Sequence, residues 1–323
     1  MQTSHLQERL RNFIRTARHP LIVILGPTAS GKTAFSIDLA ISAGDAEIIN
    51  ADSRQLYKYM NIGTAKITAE ETRGVQHHML DVLDPKEETT AAWYKKEAVK
   101  MIEDIHRRRR VPILVGGSML YLSAIVDGLE FPAASDPALR EKLEKEYEVD
   151  EGKSLHEKLM KLDPETASAF SANNKPYVIR AMEIHENTGM KPSVARRRSA
   201  PPYDLFMVGM ARPRGELHRR IGERTAELFN KGWIGEVRGL LEKGYSSGDP
   251  GMKSHGYREI IDKWRLTEDG RRMLADRISA KARQYAKKQM TWWRGDSRIQ
   301  WVSPGPIHIS EPAKNAVDSA SLK

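Results

Sequence analysis

Short apolar runs alternate with helix-like segments through the first 130 positions of the chain. The runs are Leu21–Leu25, Ala46–Asn50, the shorter Met79–Leu83, and Val111–Val115. Helix-like segments occupy Ala34–Ala40 and Ala91–Arg110, and the second ends in four arginines, which suit the negative end of a helix dipole. Continuous apolar runs of this length are typical of buried parallel strands. The pattern therefore predicts a doubly wound α/β sheet.

From about position 130 the pattern changes to charged helical segments punctuated by prolines. Asp136–Tyr147 and Leu155–Leu162 are the clearest of these segments. A strand-like run returns at Leu205–Met210, and the chain from Glu216 onward has mainly helical character. The sheet is therefore predicted to resume after a helical interruption.

This pattern predicts a three-part organisation. Residues 1–20 form an N-terminal extension, and residues 21–129 and 201–323 form a core with a parallel sheet and C-terminal helices. Residues 130–200 form a helical insertion, and Arg196–Pro202 is the predicted linker back to the core.

Composition excludes several classes of protein. The chain of 323 residues contains no cysteine, which excludes disulfides, thiolate zinc sites and a cysteine nucleophile. No segment approaches the roughly 20 apolar residues that a membrane span needs. We expect a cytoplasmic protein that acts without a membrane.

The positive charge of the chain is concentrated near its C-terminus. The formal net charge is +9, and Lys253–Arg298 alone contains 13 Lys and Arg against 6 Asp and Glu. Such an excess fits a large polyanionic partner, and it equally fits a solvated helical surface.

One motif follows the first predicted strand and opens the first predicted helix. It matches the phosphate-loop pattern G-x-x-x-x-G-K-[ST] at every fixed position. Its residues are Gly26, Pro27, Thr28, Ala29, Ser30, Gly31, Lys32 and Thr33. Backbone N–H groups and the helix N-terminus attract phosphate, Lys32 adds a full charge, and the Thr33 hydroxyl can hold Mg²⁺. The alternative is a glycine-rich turn without function, but the strand and helix on either side favour a di- or triphosphate site.

A polar tetrad, Asp52-Ser53-Arg54-Gln55, follows the second predicted strand. Carboxyl ends of parallel strands face one crevice, so the tetrad is predicted to lie near the phosphate loop. Asp52 can act as a general base or ligate Mg²⁺ through water, or it can be a helix N-cap. Arg54 and Gln55 can bind a base edge or phosphate, or lie on the surface.

The strand Val111–Val115 runs into Gly116-Gly117-Ser118 rather than into an acid. An acid after an apolar run is common in ATPases, so this ending favours a kinase-like transferase over a motor or switch NTPase. The pair His77-His78 is predicted to have hydrogen-bonding or structural roles, because adjacent residues of an extended chain point in opposite directions and chelate a metal poorly.

The segment Met273–Trp293 is predicted to be a helix with two stripes. The apolar stripe, which we assign to core packing, consists of Leu274, Ile278, Ala282, Tyr285 and Trp292. The cationic stripe consists of Arg277, Lys281 and Lys288, reinforced by Lys287, Arg294 and Arg298. This stripe is a candidate track for the phosphates of a nucleic acid. Trp292, Trp293 and Trp301 are predicted to anchor the helix rather than to stack on bases.

Taken together, these segments resemble the tRNA dimethylallyltransferase family over Leu21–Val302. Besides the phosphate loop and the tetrad, the blocks that carry the resemblance are Asn61–Lys66, His77-His78 before Asp81, Val115–Tyr121, Arg180–Glu183, Gly256–Glu259 and Arg283–Arg294. The resemblance implies a fold like that of P-loop kinases, a parallel sheet with a helical insertion and a helical C-terminal region. It also implies transfer of a dimethylallyl group from dimethylallyl diphosphate to N6 of a tRNA adenosine, expected at position 37 beside the anticodon.

The resemblance also assigns roles to individual residues. The phosphate loop would hold the diphosphate, with Mg²⁺ near Thr33, and the catalytic residues would be Asp52 as general base, Ser118 and Lys32. The implied contacts with tRNA, centred on the anticodon stem-loop, are Asp52, Ser53, Arg54, Gln55, Arg140, Pro176, Arg180, Lys253, Arg258, Arg277, Lys281, Lys287 and Lys288. The enzyme is expected to be a monomer.

The chain departs from the family pattern at three points. Pro176 and Tyr177 stand where a basic residue is usual, although Lys175 supplies a charge nearby, and His255 replaces an isoleucine. Ser118 stands where threonine is usual, so a hydroxyl is kept. Three alternatives remain open: an adenylate isopentenyltransferase, which the basic C-terminal helices disfavour, an ATP-dependent small-molecule kinase, and a nucleic-acid-binding module that only senses a nucleotide.

Overall fold

A computed structural model describes residues 3–131, 136–195, 198–261 and 268–303. Within these residues six parallel strands form one sheet in the order β3-β2-β4-β1-β5-β6. The strands are β1 Pro20–Leu25, β2 Ala46–Ala51, β3 His77–His78, β4 Val111–Gly116, β5 Asp204–Met210 and β6 Ile299–Val302. This is the predicted α/β class.

Helices connect the strands and make up most of the rest of the described chain. The first seven are α1 Thr3–Thr16, α2 Lys32–Ala43, α3 Ala91–Arg107, α4 Met119–Val126, α5 Pro137–Asp150, α6 Lys153–Leu162 and α7 Pro164–Ser168. The others are α8 Lys175–Thr188, α9 Pro192–Ala195, α10 Arg214–Asn230, α11 Trp233–Glu242, α12 Tyr257–Ile261 and α13 Glu268–Trp293. Through the described residues, none of these helices combines the length and apolarity of a membrane span.

The chain divides into two units. The first unit consists of Met1–Leu122 and Pro202–Lys323, and the second of Ser123–Pro201. The second unit begins before the predicted start of the insertion at residue 130. The segments that enter and leave it run side by side, since Leu129 pairs with Arg198 in an antiparallel bridge and the Ser199 N–H donates to the Gly128 carbonyl. Arg196 and Arg197 of the predicted linker lie outside the described residues.

The register of the central strands brings three loops to one edge of the sheet. β1 lies between β4 and β5, and its last residue, Leu25, is level with Gly116 of β4. Ala51, the last residue of β2, is level with the same glycine. The segments that follow these three strands therefore start side by side, as expected where a parallel sheet binds ligands.

Two strands differ from the sequence pattern. The third strand is His77–His78, just before the apolar stretch Met79–Leu83. Met79 and Asp81 have φ angles of +61° and +54°, a conformation that cannot continue a strand. β6 was not predicted from the sequence, and it carries Trp301 beyond the helix that this residue was expected to anchor.

The second unit has its own apolar core, formed by α5, α6 and α8. Its buried residues include Leu143, Leu159, Val178 and Met182. α5 starts where the sequence pattern predicts, because the Asp136 carboxylate accepts hydrogen bonds from the first free N–H groups of the helix. The insertion thus folds around a core within its own residues.

A buried carboxylate lies in β2, at the opposite end of that strand from Asp52. The Glu47 side chain has no exposed surface, and it accepts hydrogen bonds from Arg108, from Arg110 at 2.6 Å and from His78 Nε2 at 2.6 Å. Burial opposes its ionisation, but these hydrogen bonds outweigh burial and lower the pKa of Glu47 to about 2. His78 thus has the predicted hydrogen-bonding role, and the described residues contain no cluster of three metal-ligating side chains.

Glu47→Gln is expected to reduce the free energy of unfolding at pH 7 by about 2–3 kcal/mol, because two arginines lose a charged hydrogen-bond partner. Because the folded-state pKa lies below the ordinary value, the stabilisation by Glu47 is present above about pH 4.5 and is lost as pH falls towards 2. Urea unfolding at pH 7 and pH 3 measures both effects. Glu97→Gln, which removes a surface pair with Lys100, is the control and should change stability little. Equal losses of unfolding free energy in Glu47→Gln and Glu97→Gln would contradict the stabilising role of Glu47.

Candidate active site

A cavity of about 360 Å³ opens at the carboxyl edge of the sheet, within the first unit. Its wall combines residues of the phosphate loop with the tetrad that follows β2. From these two segments the lining residues are Thr28, Ala29, Lys32, Thr33, Asp52, Ser53, Arg54 and Gln55. The structure therefore brings the two predicted motifs to one cavity.

The phosphate loop needs glycine at two positions. Gly26 has a φ of +144°, and a Cβ there would lie 2.6 Å from the Met210 carbonyl oxygen. Gly31 has a φ of +99° and directly precedes α2. Side chains are strained at both positions, so the two glycines let the loop turn tightly into the helix N-terminus.

Three cationic side chains hold the carbonyl groups of the phosphate loop. Arg212 Nε donates to the Ser30 carbonyl and Arg220 Nε to the Ala29 carbonyl, each at 3.0 Å. Lys32 Nζ donates to the Pro27 carbonyl at 2.8 Å. With these carbonyl oxygens bound, the loop resembles an anion site, in which the Thr28 and Ser30 N–H groups are already bonded to Gln289 and Pro27.

One buried hydroxyl of the loop has no hydrogen-bond partner among the described residues. Ser30 Oγ is buried and makes no hydrogen bond within the described part of the chain. A buried hydroxyl without a partner is costly. Ser30 has no exposed surface and is absent from the cavity lining, so this hydroxyl lies behind the cavity wall.

The charges around Lys32 favour anion binding. Burial lowers the pKa of Lys32 to about 8, opposed by the charge of Asp52 and assisted by that of Arg224. Arg224 lines the same cavity, and burial likewise lowers its pKa. Two cations that lack solvent are stabilised by a polyanionic ligand.

Sequence reasoning did not find Arg224. It lies on the buried face of α10 with Leu217, Ile221 and Thr225, at helical spacing. The sequence does contain a signal for Arg224, because this positively charged residue falls at a position of α10 where the helical spacing predicts a buried side chain.

Asp52 is held in place by hydrogen bonds to residues two positions before and after it in the sequence. Asn50 Oδ1 accepts from the Asp52 N–H at 3.0 Å, and Asn50 Nδ2 donates to the Asp52 and Met79 carbonyls. The Asp52 carboxylate accepts the Arg54 N–H at 2.9 Å. Residues 53–56 form turns, so the alternative role of Asp52 as a helix N-cap is wrong.

Ser118 lies behind the cavity wall rather than in it. Its hydroxyl accepts the Ser53 N–H at 2.9 Å, and its own N–H donates to the Ala51 carbonyl. Ser118 is buried and is absent from the cavity lining. In this arrangement the residue positions the tetrad from the end of β4.

Helix α13 closes the cavity with two polar side chains. Gln289 Oε1 accepts the Thr28 N–H at 3.0 Å, and its Nε2 donates to the Gly117 carbonyl at 2.7 Å. Tyr285 lines the cavity, and burial together with the charge of Asp52 raises its pKa to about 12. A Cβ on Gly117 would lie 2.3 Å from Gln289 Nε2, which explains the second glycine after β4.

Comparison with known proteins identifies the family. The sequence model described as IPP transferase matches residues 55–296. The chain belongs to the IPP transferase family. The family predicted from the sequence is thereby confirmed.

Curated relatives in this family match the chain over most of their length. The tRNA dimethylallyltransferase of Desulforudis audaxviator is 41% identical, covering 94% of this chain and 99% of that protein. The tRNA dimethylallyltransferase of Thermomicrobium roseum is 39% identical, covering 88% of this chain and 86% of that protein.

Solved structures of the family give the same result. The tRNA isopentenylpyrophosphate transferase of Bacillus halodurans is 36% identical with a TM-score of 0.65, covering 88% of this chain and 90% of that one. A eukaryotic dimethylallyltransferase described as acting on tRNA is 28% identical with a TM-score of 0.75, covering 88% of this chain and 74% of that one.

In this IPP transferase, the cations from Lys253 onward that are predicted to contact tRNA all lie on the surface. These residues are Lys253, Arg258, Arg277, Lys281, Lys287 and Lys288. Lys281 pairs with Glu259 at 2.6 Å. The apolar stripe of α13 was predicted to pack in the core, and this is wrong for two of its residues, since Tyr285 is 41% and Trp292 49% exposed whereas Trp293 is buried.

The remaining predicted tRNA contacts of the IPP transferase belong to the second unit. Arg140 and Arg180 both bond to the buried Glu183 carboxylate, at 3.3 and 3.2 Å. Pro176 is exposed in the first turn of α8. One buried acid therefore orients both arginines.

Proposed function

We propose that this protein transfers a dimethylallyl group from dimethylallyl diphosphate to N6 of a tRNA adenosine and releases diphosphate. The expected adenosine is at position 37, beside the anticodon. The observation that supports this most strongly is the presence of an anion-binding loop and the Asp52 carboxylate in one cavity. Membership of the IPP transferase family supports the same reaction.

The proposed reaction assigns a charge role to the loop. The C–N bond to the adenosine forms as the C–O bond of the prenyl diphosphate breaks, and the electron pair of that bond stays on the diphosphate. Lys32, Arg224 and the loop N–H groups stabilise this developing negative charge.

Asp52 has the proton role. N6 of adenine is a weak nucleophile because its lone pair is delocalised into the ring. The Asp52 carboxylate orients the amine and takes its proton as the C–N bond forms. The tRNA base has to leave its stack to reach this cavity, and Ser53, Arg54 and Gln55 line the wall that would receive it.

The oxygen atoms of the site suit Mg²⁺. The Thr33 hydroxyl and the Asp52 carboxylate line the same cavity, and Mg²⁺ commonly combines one or two such protein ligands with phosphate oxygens and water. Thr33 would hold the ion at the loop, and Mg²⁺ when bound supplies charge neutralisation to the leaving diphosphate. We further propose that the enzyme acts as a cytoplasmic monomer on the anticodon stem-loop.

A direct assay tests the proposed activity. The purified protein is incubated with dimethylallyl diphosphate, Mg²⁺ and unmodified tRNA, and the tRNA nucleosides are then analysed. Formation of N6-isopentenyladenosine is the expected result. Product formed only with free AMP would support the adenylate enzyme instead, and ATP consumption with a small acceptor would support a kinase.

The double variant Lys287→Ala, Lys288→Ala is expected to weaken tRNA binding at low salt. The slope of log K against log salt concentration should fall by about 1 for each lysine, because each phosphate contact releases counterions. Binding isotherms at several salt concentrations measure this slope. The exposed pair Lys96→Ala, Lys100→Ala on α3 is the control and should leave the slope unchanged. Identical slopes for the two double variants would mean that the α13 lysines face solvent in the complex.

A further inference from the structure

A carboxylate outside the two motifs fixes one wall of the cavity. The loop between Asn61 and Ala65 contributes Gly63 and Thr64 to the lining. Glu236 of α11 accepts hydrogen bonds from the Asn61 and Ile62 N–H groups at 2.7 Å each and from the Gly63 N–H at 3.1 Å. One side chain therefore holds three successive backbone groups.

Two aromatic residues complete this support. The Tyr257 hydroxyl donates a fourth hydrogen bond to Glu236. Trp233 is buried against Gly63, where a Cβ would lie 1.9 Å from the indole nitrogen. The N–H groups of Asn61, Ile62 and Gly63 are thus all bonded, and at Gly63 the loop has no space to shift towards α11.

The same loop fixes the side chain of Gln55. Gln55 Nε2 donates to the Thr64 carbonyl at 3.1 Å and to the Ala65 carbonyl at 3.2 Å. Both amide hydrogens are used, so the amide can offer a ligand only its oxygen, Oε1. Because Gln55 lines the cavity, this oxygen is an acceptor suited to an amino group of the incoming base.

We propose that Glu236 is a positioning residue for the acceptor base, acting through the loop backbone to set the orientation of the Gln55 amide. The inference rests on the proposed function. In this orientation Gln55 Oε1 accepts an N–H from adenine. Hypoxanthine, which carries a carbonyl oxygen in place of the amino group, meets an oxygen and is rejected.

The variant Glu236→Gln tests this inference. Glutamine places an NH₂ group against backbone N–H donors, so the loop loses part of its support. The KM for an RNA stem-loop should rise about tenfold, the value expected when one hydrogen bond is lost, and the KM for dimethylallyl diphosphate should not change. The preference for a stem-loop with adenosine over one with inosine, measured by competition binding, should fall by a similar factor. Glu242→Gln, on the same helix and exposed, is the matched control.

A double-variant cycle separates positioning from general loss of structure. Gln55→Ala alone should reduce the adenosine preference, and adding Glu236→Gln should then have little further effect, because both changes remove the same acceptor. Additive effects, equal changes in both KM values, or a Gln55→Ala enzyme that still prefers adenosine would overturn the inference. If Glu236→Gln does not fold, Gln55→Ala can still overturn the inference, because an unchanged adenosine preference in that variant removes Gln55 as the acceptor. A wild-type protein without prenyl transfer would instead refute the proposed function, and the binding measurements would still test the role of Glu236.

Discussion

Asp52→Ala is expected to lower kcat for prenyl transfer by about 10²–10⁴, the range for loss of a general base, while stem-loop binding stays largely intact. The reason is that N6 starts with two protons and, once the new C–N bond forms, keeps both only as a cation, so one proton has to be removed. Single-turnover kinetics with saturating stem-loop and dimethylallyl diphosphate measure the chemical step, and direct binding measures the affinity.

Asp52→Asn separates the chemistry from the local structure. Asparagine can still accept the Arg54 N–H that the carboxylate accepts now, but it cannot take a proton. We expect its kcat to fall as far as that of Asp52→Ala. Asp45→Asn, which changes an exposed acid just before the same strand, should behave as wild type. Normal turnover by either Asp52 variant would remove this residue from the mechanism.

Lys32→Ala is expected to lower kcat/KM for dimethylallyl diphosphate by about 10²–10³, because the lysine neutralises the charge that develops on the leaving group. The KM for the stem-loop should change little, since Lys32 lies in the phosphate loop. Steady-state kinetics with each substrate varied in turn measure both values. A rise in the stem-loop KM without loss of kcat/KM for the diphosphate would contradict the role.

The pH dependence gives this prediction a second test. The pKa of Lys32 is about 8 in the free protein, and the protonated form binds the anion. The affinity for dimethylallyl diphosphate should therefore be highest below pH 8 and fall as pH rises through that value. Lys32→Arg keeps the charge at all these pH values, so its affinity should not show the alkaline decrease. If the affinity of Lys32→Arg decreased by the same amount above pH 8, a group other than Lys32 would cause the decrease.

The parts of the site that are local in sequence could be predicted from it. The phosphate loop is one contiguous segment with glycines at fixed positions, and Asp52 follows an apolar run that ends at the same edge of the sheet. Neither prediction requires knowledge of the strand order, because ligands of a parallel sheet generally bind at the carboxyl ends of its strands. The same rule predicts that the phosphate loop and Asp52 line one cavity.

The parts that depend on distant contacts could not be predicted. Gln289 lies 261 residues from Thr28, and Arg220 lies 191 residues from Ala29. The sequence pattern around Gln289 and Arg220 predicts only that each lies in a helix. Nothing in the neighbouring sequence of either residue indicates its partner. β6 was missed for a similar reason, because four residues are too few to show strand alternation.

The contacts of Gln289 also bear on when the site can form during synthesis. A ribosome completes the phosphate loop early, but the groups that hold it come from Arg212, Arg220 and Gln289. The strand beside β1 on one side, β5, is likewise made only after the insertion. A nascent chain that ends before α13 therefore lacks a finished anion site, and competence to bind the prenyl donor arises only after α13 has been made.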